Sequence, residues 1–394
     1  MVNQDKGAIL EYFLTEQQKM VKSLARRVAE ERVMPVRAEL DEKEEFPWAI
    51  MKDLAGADMF RVFIPEEYEG LGGGCLELCL VTEELSRACS SVAISYAASA
   101  LGTMSLIEYG TEAQKRKYLP DVAAGKRLAA FALTEPTAGS DVSAIKTTAR
   151  KENGGYVLNG TKQFITNGGE AELYTVIALT SPERGGRGAS AFLVEKGTPG
   201  FSFGKKEKKM GLRASATREL IFRNCFIPAE NLIGKEGMGF IVAMRLFDRS
   251  RPGVAAQAVG LAQGALEAAV DYARQRVQFG HPIISLQAVQ LMLADMAIQV
   301  EAARALVYAV ARTVDSGAKN FSEESAMAKV FASDTAMKVT TNAVQILGGV
   351  GYMRDYPVEK MMRDAKITQI YEGANEVLRT AIAFELRKRK ARRE

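Results

Sequence analysis

The chain has 394 residues, of which 47% are hydrophobic and 25% are charged, so it is long enough for two or three globular domains. Its formal net charge is only +4, and it contains one histidine and four cysteines without a Cys-x-x-Cys spacing. These values argue against a nucleic-acid-binding protein, a metal site and most histidine-dependent hydrolases. Acid-base chemistry would therefore depend on carboxylates, Lys, Tyr or a cofactor.

The N-terminal third, residues 1–127, is predicted to be helical. Residues 1–6 have neither an apolar signal core nor transit-peptide character, and no run of about eighteen apolar residues occurs in the chain. We therefore expect a cytoplasmic protein without membrane attachment. Thr15 and Gln18 form a capping-box pattern at the start of the first helix, and the Gly70–Gly74 cluster predicts a loop. Further helical patterns cover 75–86 and 91–108.

The middle third, residues 128–238, has the pattern of a β-domain. Asn159 and Gly160 lie between alternating apolar residues, which predicts a hairpin turn. Further β-rich runs occur at 173–179, 191–194 and 219–222. No helical patterns alternate with these runs, which argues against a doubly wound nucleotide-binding fold.

The last part of the chain, residues 239–394, is again predicted to be helical. Its apolar residues repeat at alternating spacings of three and four, which predicts the packed seam of a helical bundle. The seam consists of Leu286, Val289, Leu293, Met296, Val300, Ala303, Val307 and Val310. The predicted helices are long for a single domain, which favours subunit contacts through the bundle.

One acidic residue, Glu372, lies between Tyr371 and Gly373 after an apolar lead-in. A carboxylate in such surroundings is a candidate for a partly desolvated general base, whose pKa is raised toward neutrality. On local grounds a structural glutamate at a helix end is the more common explanation. Both interpretations remain open at this point.

Neither a dinucleotide-binding glycine fingerprint nor a Walker loop occurs, so loops and helix ends would have to hold any nucleotide. Residues 131–141 follow a predicted strand and offer hydroxyls and backbone amides that could bind a flavin edge or a phosphate, or form a plain turn. Residues 276–280 and 345–351 interrupt helical patterns, where they could hold a pyrophosphate or simply end a helix.

Six segments, taken together and in order, carry a further signal. They are Ile64–Gly70, Leu133–Asp141, Gly160–Gly168, Arg276-x-x-Phe279-Gly280, Gln345–Gly349 and Ile370–Gly373. In this order and spacing they resemble the acyl-CoA dehydrogenase family, and the likeness covers nearly the whole chain. The resemblance implies an α+β multi-domain fold, with an N-terminal helical domain (1–127), a central β-domain (128–238) and a C-terminal four-helix-bundle-like domain (239–394). It also implies a homotetramer and FAD as cofactor.

The resemblance further implies which residues hold FAD. A first group would border the flavin ring and the pyrophosphate: Leu133, Thr134, Gly139, Ser140, Phe164, Ile165 and Thr166. A second group would hold the FAD of a neighbouring subunit: Arg276, Phe279, Gln287, Gln345, Ile346, Leu347, Gly348 and Gly349. Cofactor contacts are also implied for Ala374, Asn375 and Glu376.

Acyl-CoA contacts are implied for Ser140, Phe247, Asp248, Arg249, Ser250, Arg251, Tyr371 and Gly373. Glu372 matches the family's catalytic base, which would remove the α-proton while a hydride leaves the β-carbon for flavin N5, giving a trans-2-enoyl-CoA. The Glu372 backbone N–H and a flavin ribityl hydroxyl would stabilise the enolate oxygen. Electrons would then pass to an electron-transferring flavoprotein. The alternatives are an oxygen-using acyl-CoA oxidase of the same fold and a non-catalytic scaffold that binds acyl-CoA or a partner.

Departures from the family pattern bear on the substrate. Some members carry the base on another helix, at the position that matches Ser250, and a serine cannot serve as that base. The acyl-pocket segment, residues 91–100, has no arginine to pair with a distal carboxylate, which disfavours glutaryl-type substrates. Its small residues suggest room for a short, medium or alicyclic acyl group. Ala374 stands where relatives often have threonine, which removes a hydroxyl near FAD.

Overall fold

The structure is a computed structural model that describes residues 12–391, so the expectation for residues 1–6 lies outside it. The first described helix, α1 (Glu16–Val28), begins with the predicted capping box. Thr15 Oγ1 accepts a hydrogen bond from the Gln18 N–H, and Gln18 Oε1 accepts one from the Thr15 N–H. Together these bonds satisfy two backbone donors at the helix end.

Helices fill the N-terminal third. After α1 they are α2 (Arg37–Lys43), α3 (Trp48–Gly56), α4 (Cys75–Ala88), α5 (Ser90–Tyr109) and α6 (Glu112–Ala123). The helices predicted at 75–86 and 91–108 are confirmed as α4 and α5. Within residues 12–391, α5 alone is long and apolar enough to cross a membrane by length and composition, and 78% of its apolar window is buried inside the protein.

The middle of the chain forms a mixed sheet of eight strands. They are β1 (Ala129–Ala132), β2 (Thr148–Glu152), β3 (Gly155–Thr166), β4 (Leu173–Leu179), β5 (Ala189–Glu195), β6 (Phe201–Lys206), β7 (Thr217–Pro228) and β8 (Leu232–Ile233). The spatial order is β6-β7-β3-β2-β4-β5-β8, with β1 parallel to β4. The β-runs predicted at 173–179, 191–194 and 219–222 all lie in these strands.

The hairpin predicted at Asn159 and Gly160 is wrong. Both residues lie inside β3, which pairs with β7 through an irregularity between Leu158 and Gly160. Gly160 has φ +148°, and a Cβ there would lie 2.5 Å from Thr147 Oγ1, so the glycine serves a close approach within the sheet. The hairpin turn between β2 and β3 instead contains Gly154, with φ +81°.

The C-terminal part is a helical bundle. Its elements are α7 (Gly239–Gln275), the short strands β9 (Val277–Gln278) and β10 (His281–Pro282), α8 (Gln287–Asp315), α9 (Ser322–Leu347), α10 (Val358–Thr368) and α11 (Asn375–Ala391). The predicted seam falls on α8 except for Leu286, which directly precedes the helix, and its residues from Leu293 to Val310 are buried against the bundle. The combination of helical ends and a central sheet confirms the expected α+β class.

Buried polar contacts join the N-terminal helices to the bundle. Glu83 on α4 accepts a hydrogen bond of 2.8 Å from Arg304 Nε and one of 2.8 Å from the Tyr308 hydroxyl, both on α8. Glu83 and Arg304 are almost completely buried. Because each charge is paired inside the protein, the contact fixes α4 against α8.

Candidate active site

Glu372 lies in the loop between α10 and α11. Its backbone has a positive φ of 50°, and the next residue, Gly373, has φ +103°. A left-handed conformation is unfavourable for a residue with a side chain, and it persists only where surrounding contacts enforce it. The loop therefore presents Glu372 in a conformation that its neighbours must maintain.

Two consecutive residues of α7 contact Glu372. Ser250 Oγ donates a hydrogen bond of 2.5 Å to Glu372 Oε2, and Arg251 Nε donates one of 3.3 Å to the Glu372 carbonyl oxygen. Arg251 is held in turn by Asp248, with 2.8 Å between Arg251 Nη1 and Asp248 Oδ1. Pro252 follows inside α7 and, lacking an N–H, leaves one helical hydrogen bond unmade. The regular bonding of α7 is thus interrupted where the helix meets Glu372.

The Glu372 carboxyl has an environment that favours proton uptake. Burial raises its pKa above the ordinary glutamate value, while the Ser250 hydrogen bond and the charges of Arg251 and Lys329 oppose that rise. A carboxylate with a raised pKa is a stronger base than an exposed one. The surroundings therefore suit Glu372 to accept a proton from a weak carbon acid.

Glu372 borders a cavity of about 140 Å³ between the N-terminal helices, the sheet and α7. The cavity is lined by Leu78, Ile94, Ala97, Ala98, Leu101, Met104, Phe131, Leu133, Thr134, Phe164, Ile165, Thr166, Phe247, Ser250, Gly253, Val254, Gln257, Tyr371 and Glu372. Glu372 is the one charged residue among them, so the cavity is apolar apart from a few hydroxyl and amide groups. A larger groove of about 450 Å³ between α8, α9 and α11 contains none of the predicted site residues.

Five residues predicted to border the flavin line this same cavity: Leu133, Thr134, Phe164, Ile165 and Thr166. The two segments that carry them are joined by a 2.8 Å hydrogen bond from the Gln163 N–H to the Thr134 carbonyl oxygen. Phe164 has φ +58° and is 59% exposed, which is unusual for a large apolar side chain. Within residues 12–391, the hydroxyls of Thr134 and Thr166 have no hydrogen-bond partner, so both are available to a ligand.

A buried ion pair supports these two segments from behind. Lys162 Nζ donates hydrogen bonds of 2.7 Å to Glu135 Oε1 and 3.0 Å to the Leu133 carbonyl oxygen. Glu135 also accepts the backbone N–H groups of Lys146 and Thr147. Burial lowers the pKa of Lys162 to about 8, with Glu135 opposing that change. The pair ties β3 to the loop after β1.

Other predicted cofactor residues do not line this cavity. Gly139 and Ser140 lie on the exposed turn after β1, and Glu376 is exposed at the start of α11. Most of the second predicted group is exposed at the surface of the bundle: Arg276, Phe279, Gln287, Gln345, Gly348 and Gly349. Phe279 is 88% exposed with φ +53°. An aromatic side chain that its own chain leaves so exposed is consistent with a contact to a second molecule.

Three predicted cofactor side chains are already engaged within the protein. Ile346 and Leu347 are buried in the bundle core, so only their backbone could reach a ligand. Asn375 is buried, and its side-chain amide binds Lys329, Ser333 and Asp334. These contacts indicate a structural use of the three side chains. Ala374, between the Glu372 loop and Asn375, is partly buried.

Of the predicted acyl-CoA residues, Phe247, Ser250 and Tyr371 line the cavity. Asp248 accepts hydrogen bonds from Arg251 and from Ser322. Arg249 instead forms an ion pair of 2.7 Å with Glu108 and is 44% exposed at the side chain. Gly373 continues the left-handed loop. The predicted set therefore divides among the cavity wall, partly buried positions beside it and the exposed surface.

Sequence reasoning missed Gln257. It lines the cavity, accepts a hydrogen bond from the Tyr371 hydroxyl and donates one of 2.8 Å to Ser90 Oγ. Its position on α7 follows the helical spacing of three other lining residues, Phe247, Ser250 and Val254. That periodicity was a usable signal, since a polar residue on the same helical face as Ser250 faces the same cavity.

Comparison with known proteins identifies the family. Three family models match: acyl-CoA dehydrogenase N-terminal domain at residues 15–126, middle domain at 130–225 and C-terminal domain at 237–386. The chain belongs to the acyl-CoA dehydrogenase family. Acryloyl-CoA reductase (NADH) of Anaerotignum propionicum is 48% identical to it over 390 residues, which is 98% of this chain and 99% of that protein.

Solved structures share the fold of this chain. Butyryl-CoA dehydrogenase from Megasphaera elsdenii has a TM-score of 0.93 and 46% identity, covering 96% of this chain and 100% of that chain. A second match is a chain in a structure described as the electron transferring flavoprotein of Acidaminococcus fermentans, studied toward a mechanism of flavin-based electron bifurcation. Its TM-score is 0.94 and its sequence identity is 49%. It covers 96% of this chain and 99% of that chain.

Acyl-CoA dehydrogenases depend on FAD, and the cavity residues are suited to a flavin. The exposed Phe164 offers an aromatic face. The hydroxyls of Thr134 and Thr166, which have no partner in the described part of the chain, offer hydrogen bonds to a polar ring edge. The apolar remainder of the wall suits the flat ring and an acyl chain. The chemistry of the residues present therefore fits the cofactor of the family.

Proposed function

We propose that this acyl-CoA dehydrogenase oxidises a short acyl-CoA to its trans-2-enoyl-CoA, with Glu372 as the catalytic base. One observation carries this proposal: the carboxylate of Glu372 and the two flavin-side segments, 133–134 and 164–166, line one apolar cavity. FAD, when bound, supplies the acceptor for two electrons and the β-hydrogen. The protein must supply the base, align the substrate with the flavin and exclude water from the cavity.

The α-proton of a thioester is weakly acidic, so the carbonyl oxygen must be stabilised as it gains charge. Glu372 takes the α-proton on a carboxylate oxygen whose pKa is raised by burial. Within the described part of the chain, the Glu372 backbone N–H has no hydrogen-bond partner and is available to the thioester oxygen. Ser250, which cannot act as a base, orients the carboxylate through its 2.5 Å hydrogen bond.

The remaining site residues divide by role. Leu133, Thr134, Phe164, Ile165 and Thr166 would contact the flavin ring of the same subunit, with Gly139 and Ser140 near its edge. Exposed residues of the bundle would bind the FAD of a second copy: Arg276, Phe279, Gln287, Gln345, Gly348 and Gly349, with the backbone of Ile346 and Leu347. The cofactor site would be incomplete in a single chain, so this arrangement requires an oligomer, for which we propose the homotetramer that the resemblance implies.

The acyl-CoA would lie between α7 and the Glu372 loop. Phe247, Ser250 and Tyr371 would contact the acyl end, and Asp248, Arg251 and Gly373 the thioester and pantetheine region. Arg249 and Ser140 lie on the surface, where the nucleotide end would extend. This order follows the direction from the apolar cavity to solvent.

Two observations bear on the acyl group, the first on its charge and the second on its length. The lining residues include no cation that could pair with a distal carboxylate, which disfavours dicarboxylic acyl-CoAs. The structurally similar enzyme from Megasphaera elsdenii is described as a butyryl-CoA dehydrogenase. We therefore expect butyryl-CoA to be a better substrate than octanoyl-CoA or glutaryl-CoA.

The electron partner is proposed to be an electron-transferring flavoprotein, which the flavoprotein structure from Acidaminococcus fermentans supports. A second candidate is the reverse reaction, because the acryloyl-CoA reductase of Anaerotignum propionicum covers 98% of the chain at 48% identity.

We also propose the division into domains at 1–127, 128–238 and 239–394. The changes from helix to strand after Ala123 and from strand to helix after Ile233 support it.

Anaerobic titration of the flavin absorbance tests the proposal. Straight, branched, cyclic and dicarboxylic acyl-CoAs would be added in turn, and acryloyl-CoA would be added to the reduced enzyme. Bleaching by butyryl-CoA, followed by slow reoxidation in oxygen, is expected. Fast reoxidation would indicate the oxidase alternative, and a protein that binds no FAD would indicate the scaffold.

A further inference from the structure

Two consecutive carbonyl groups in the Glu372 loop are held by cations from two different helices. Arg251 on α7 donates a hydrogen bond of 3.3 Å to the Glu372 carbonyl oxygen. Lys329 on α9 donates one of 2.7 Å from its ammonium group to the Gly373 carbonyl oxygen. Glu372 and Gly373 are the residues of this loop with a left-handed backbone, so the two cations bind where the backbone conformation is least favourable.

Lys329 is completely buried and also binds the start of α11. Its ammonium group donates a hydrogen bond of 2.9 Å to Asn375 Oδ1. The Asn375 amide nitrogen in turn donates bonds of 2.9 Å to both Ser333 Oγ and Asp334 Oδ1 on α9. Asn375, the residue that begins α11, is thereby bound to the same helix as Lys329, and these contacts oppose a shift of the loop along α9.

The Lys329 ammonium group is unusual among buried charges. Within residues 12–391 no carboxylate lies at ion-pair distance from it, and its hydrogen-bond partners are a carbonyl and an amide oxygen. The charges that face it at longer range are Glu372, Asp334 and Glu376, and the like charge of Arg251. Burial lowers the pKa of Lys329 to about 8. Keeping an amine here has a free-energy cost that an apolar residue would avoid.

We propose that Lys329 is a positioning residue for the base Glu372. By binding the Gly373 carbonyl and Asn375 together, it holds the left-handed Glu372–Gly373 backbone in the conformation that presents the carboxylate to the cavity. The inference rests on the proposed function, since it assigns a role to Lys329 only through Glu372. Its positive charge also favours the ionised form of the Glu372 carboxyl.

The role predicts a specific change in the pH dependence of the reaction. Glu372 is faced by Arg251 from α7, by Lys329 from α9 and by Tyr371 from its own loop. Lys329 and Arg251 lower the Glu372 pKa, so removal of the Lys329 charge raises it. A higher pKa keeps the carboxyl protonated to higher pH, and the rising limb of the rate profile moves upward in pH. A lysine whose charge does not act on Glu372 would not produce that movement, and the limiting rate reports the positioning itself.

The test compares Lys329→Met with Lys329→Gln, which keeps a hydrogen-bond donor without the charge. Lys319→Met, at an exposed lysine just before α9, is the matched control. Each holoenzyme would be assayed for FAD content, thermal unfolding and binding of butyryl-CoA. The limiting rate of flavin reduction by butyryl-CoA would then be measured anaerobically across a range of pH.

For Lys329→Met we expect intact FAD content and butyryl-CoA affinity, with a limiting rate lower by on the order of 10²-fold, the loss that a misplaced catalytic group produces. Lys329→Gln should recover part of the rate while keeping the altered pH profile. If Lys329→Met does not fold, the rate and pH profile of Lys329→Gln test the positioning role. A wild-type rate and pH profile in a folded Lys329 variant would overturn the inference.

Glu372→Gln, measured in parallel, separates the two proposals. If Glu372→Gln is inactive while the Lys329 variants behave like wild type, only the positioning role is wrong. If Glu372→Gln reduces its flavin at the wild-type rate, the assignment of the base is wrong, and the inference falls with it.

Discussion

Ser250 and Glu372, 122 positions apart in the sequence, meet in a hydrogen bond of 2.5 Å between a hydroxyl and a carboxylate. The bond joins α7 to the loop after α10 and crosses the edge of the apolar cavity. It stabilises the ionised carboxylate against the effect of burial, which raises the Glu372 pKa. Ser250 therefore adjusts the pH range in which Glu372 can act as a base.

Replacement of Ser250 by alanine tests that role. Ser250→Ala removes a contribution that lowers the Glu372 pKa, so the pKa rises and the carboxyl stays protonated to higher pH. We expect the rising limb of the pH profile for flavin reduction to move to higher pH. Ser250→Thr, which keeps the hydroxyl, should retain the original profile. An unchanged profile in Ser250→Ala would contradict the account.

Gln257 is expected to influence the choice of acyl chain. Gln257→Ala enlarges the cavity and leaves the Tyr371 hydroxyl without its acceptor. We expect the ratio of kcat/KM for hexanoyl-CoA over butyryl-CoA to rise by about 10-fold or more, since about 10-fold is the lower end of the discrimination that even one methylene group gives in an apolar pocket. Tyr371→Phe, which breaks the same hydrogen bond with little change in volume, is the control. A matching shift in Tyr371→Phe would mean that volume is not the cause.

The buried pair of Lys162 and Glu135 should contribute to FAD retention. Lys162→Met leaves the Glu135 carboxylate buried without its cation, which typically costs about 3–5 kcal/mol of unfolding free energy. We expect lower stability and loss of FAD on gel filtration, measured by denaturant unfolding and flavin absorbance. The double variant Lys162→Met with Glu135→Gln, which removes the unpaired charge and keeps an amide oxygen as an acceptor for a backbone N–H group, should recover part of the stability. Lys151→Met at an exposed pair should change little. Full FAD retention in Lys162→Met would refute the coupling.

The contact of Arg304 with Glu83 is expected to couple the N-terminal helices to the bundle. Arg304→Met leaves Glu83 buried with only its Tyr308 hydrogen bond, and we expect a loss of about 3–5 kcal/mol in unfolding free energy. Differential scanning calorimetry should show an earlier transition, or two separate ones. Arg354→Met, at an exposed pair with Glu42, is the control and should unfold like wild type.

Much of the fold could be predicted because burial imposes a period on the sequence. The seam from Leu293 to Val310 marks the packed face of α8, and the run 173–179 matches β4. The hairpin at Asn159 and Gly160 failed for a tertiary reason. The turn preference of that pair was overridden by pairing of β3 with β7, where Gly160 allows the close approach of Thr147.

The site was predictable only in part. The resemblance located Glu372, Ser250 and the flavin-side segments, whose residues line one cavity. Gln257 and Lys329 were missed because a buried polar residue in a helix resembles any other until its partners are known. Their partners, Tyr371 and Gly373, are more than forty positions away in sequence. Such contacts depend on tertiary packing and leave no local pattern.

The central claim is that Glu372 removes the α-proton in the cavity that holds the flavin. This claim is tested most directly by anaerobic stopped-flow measurement of flavin reduction by butyryl-CoA, in wild type and in Glu372→Gln. The variant should bind FAD and butyryl-CoA normally and reduce its flavin on the order of 10²–10⁴-fold more slowly, the usual contribution of a general base. Reduction at the wild-type rate would contradict the account.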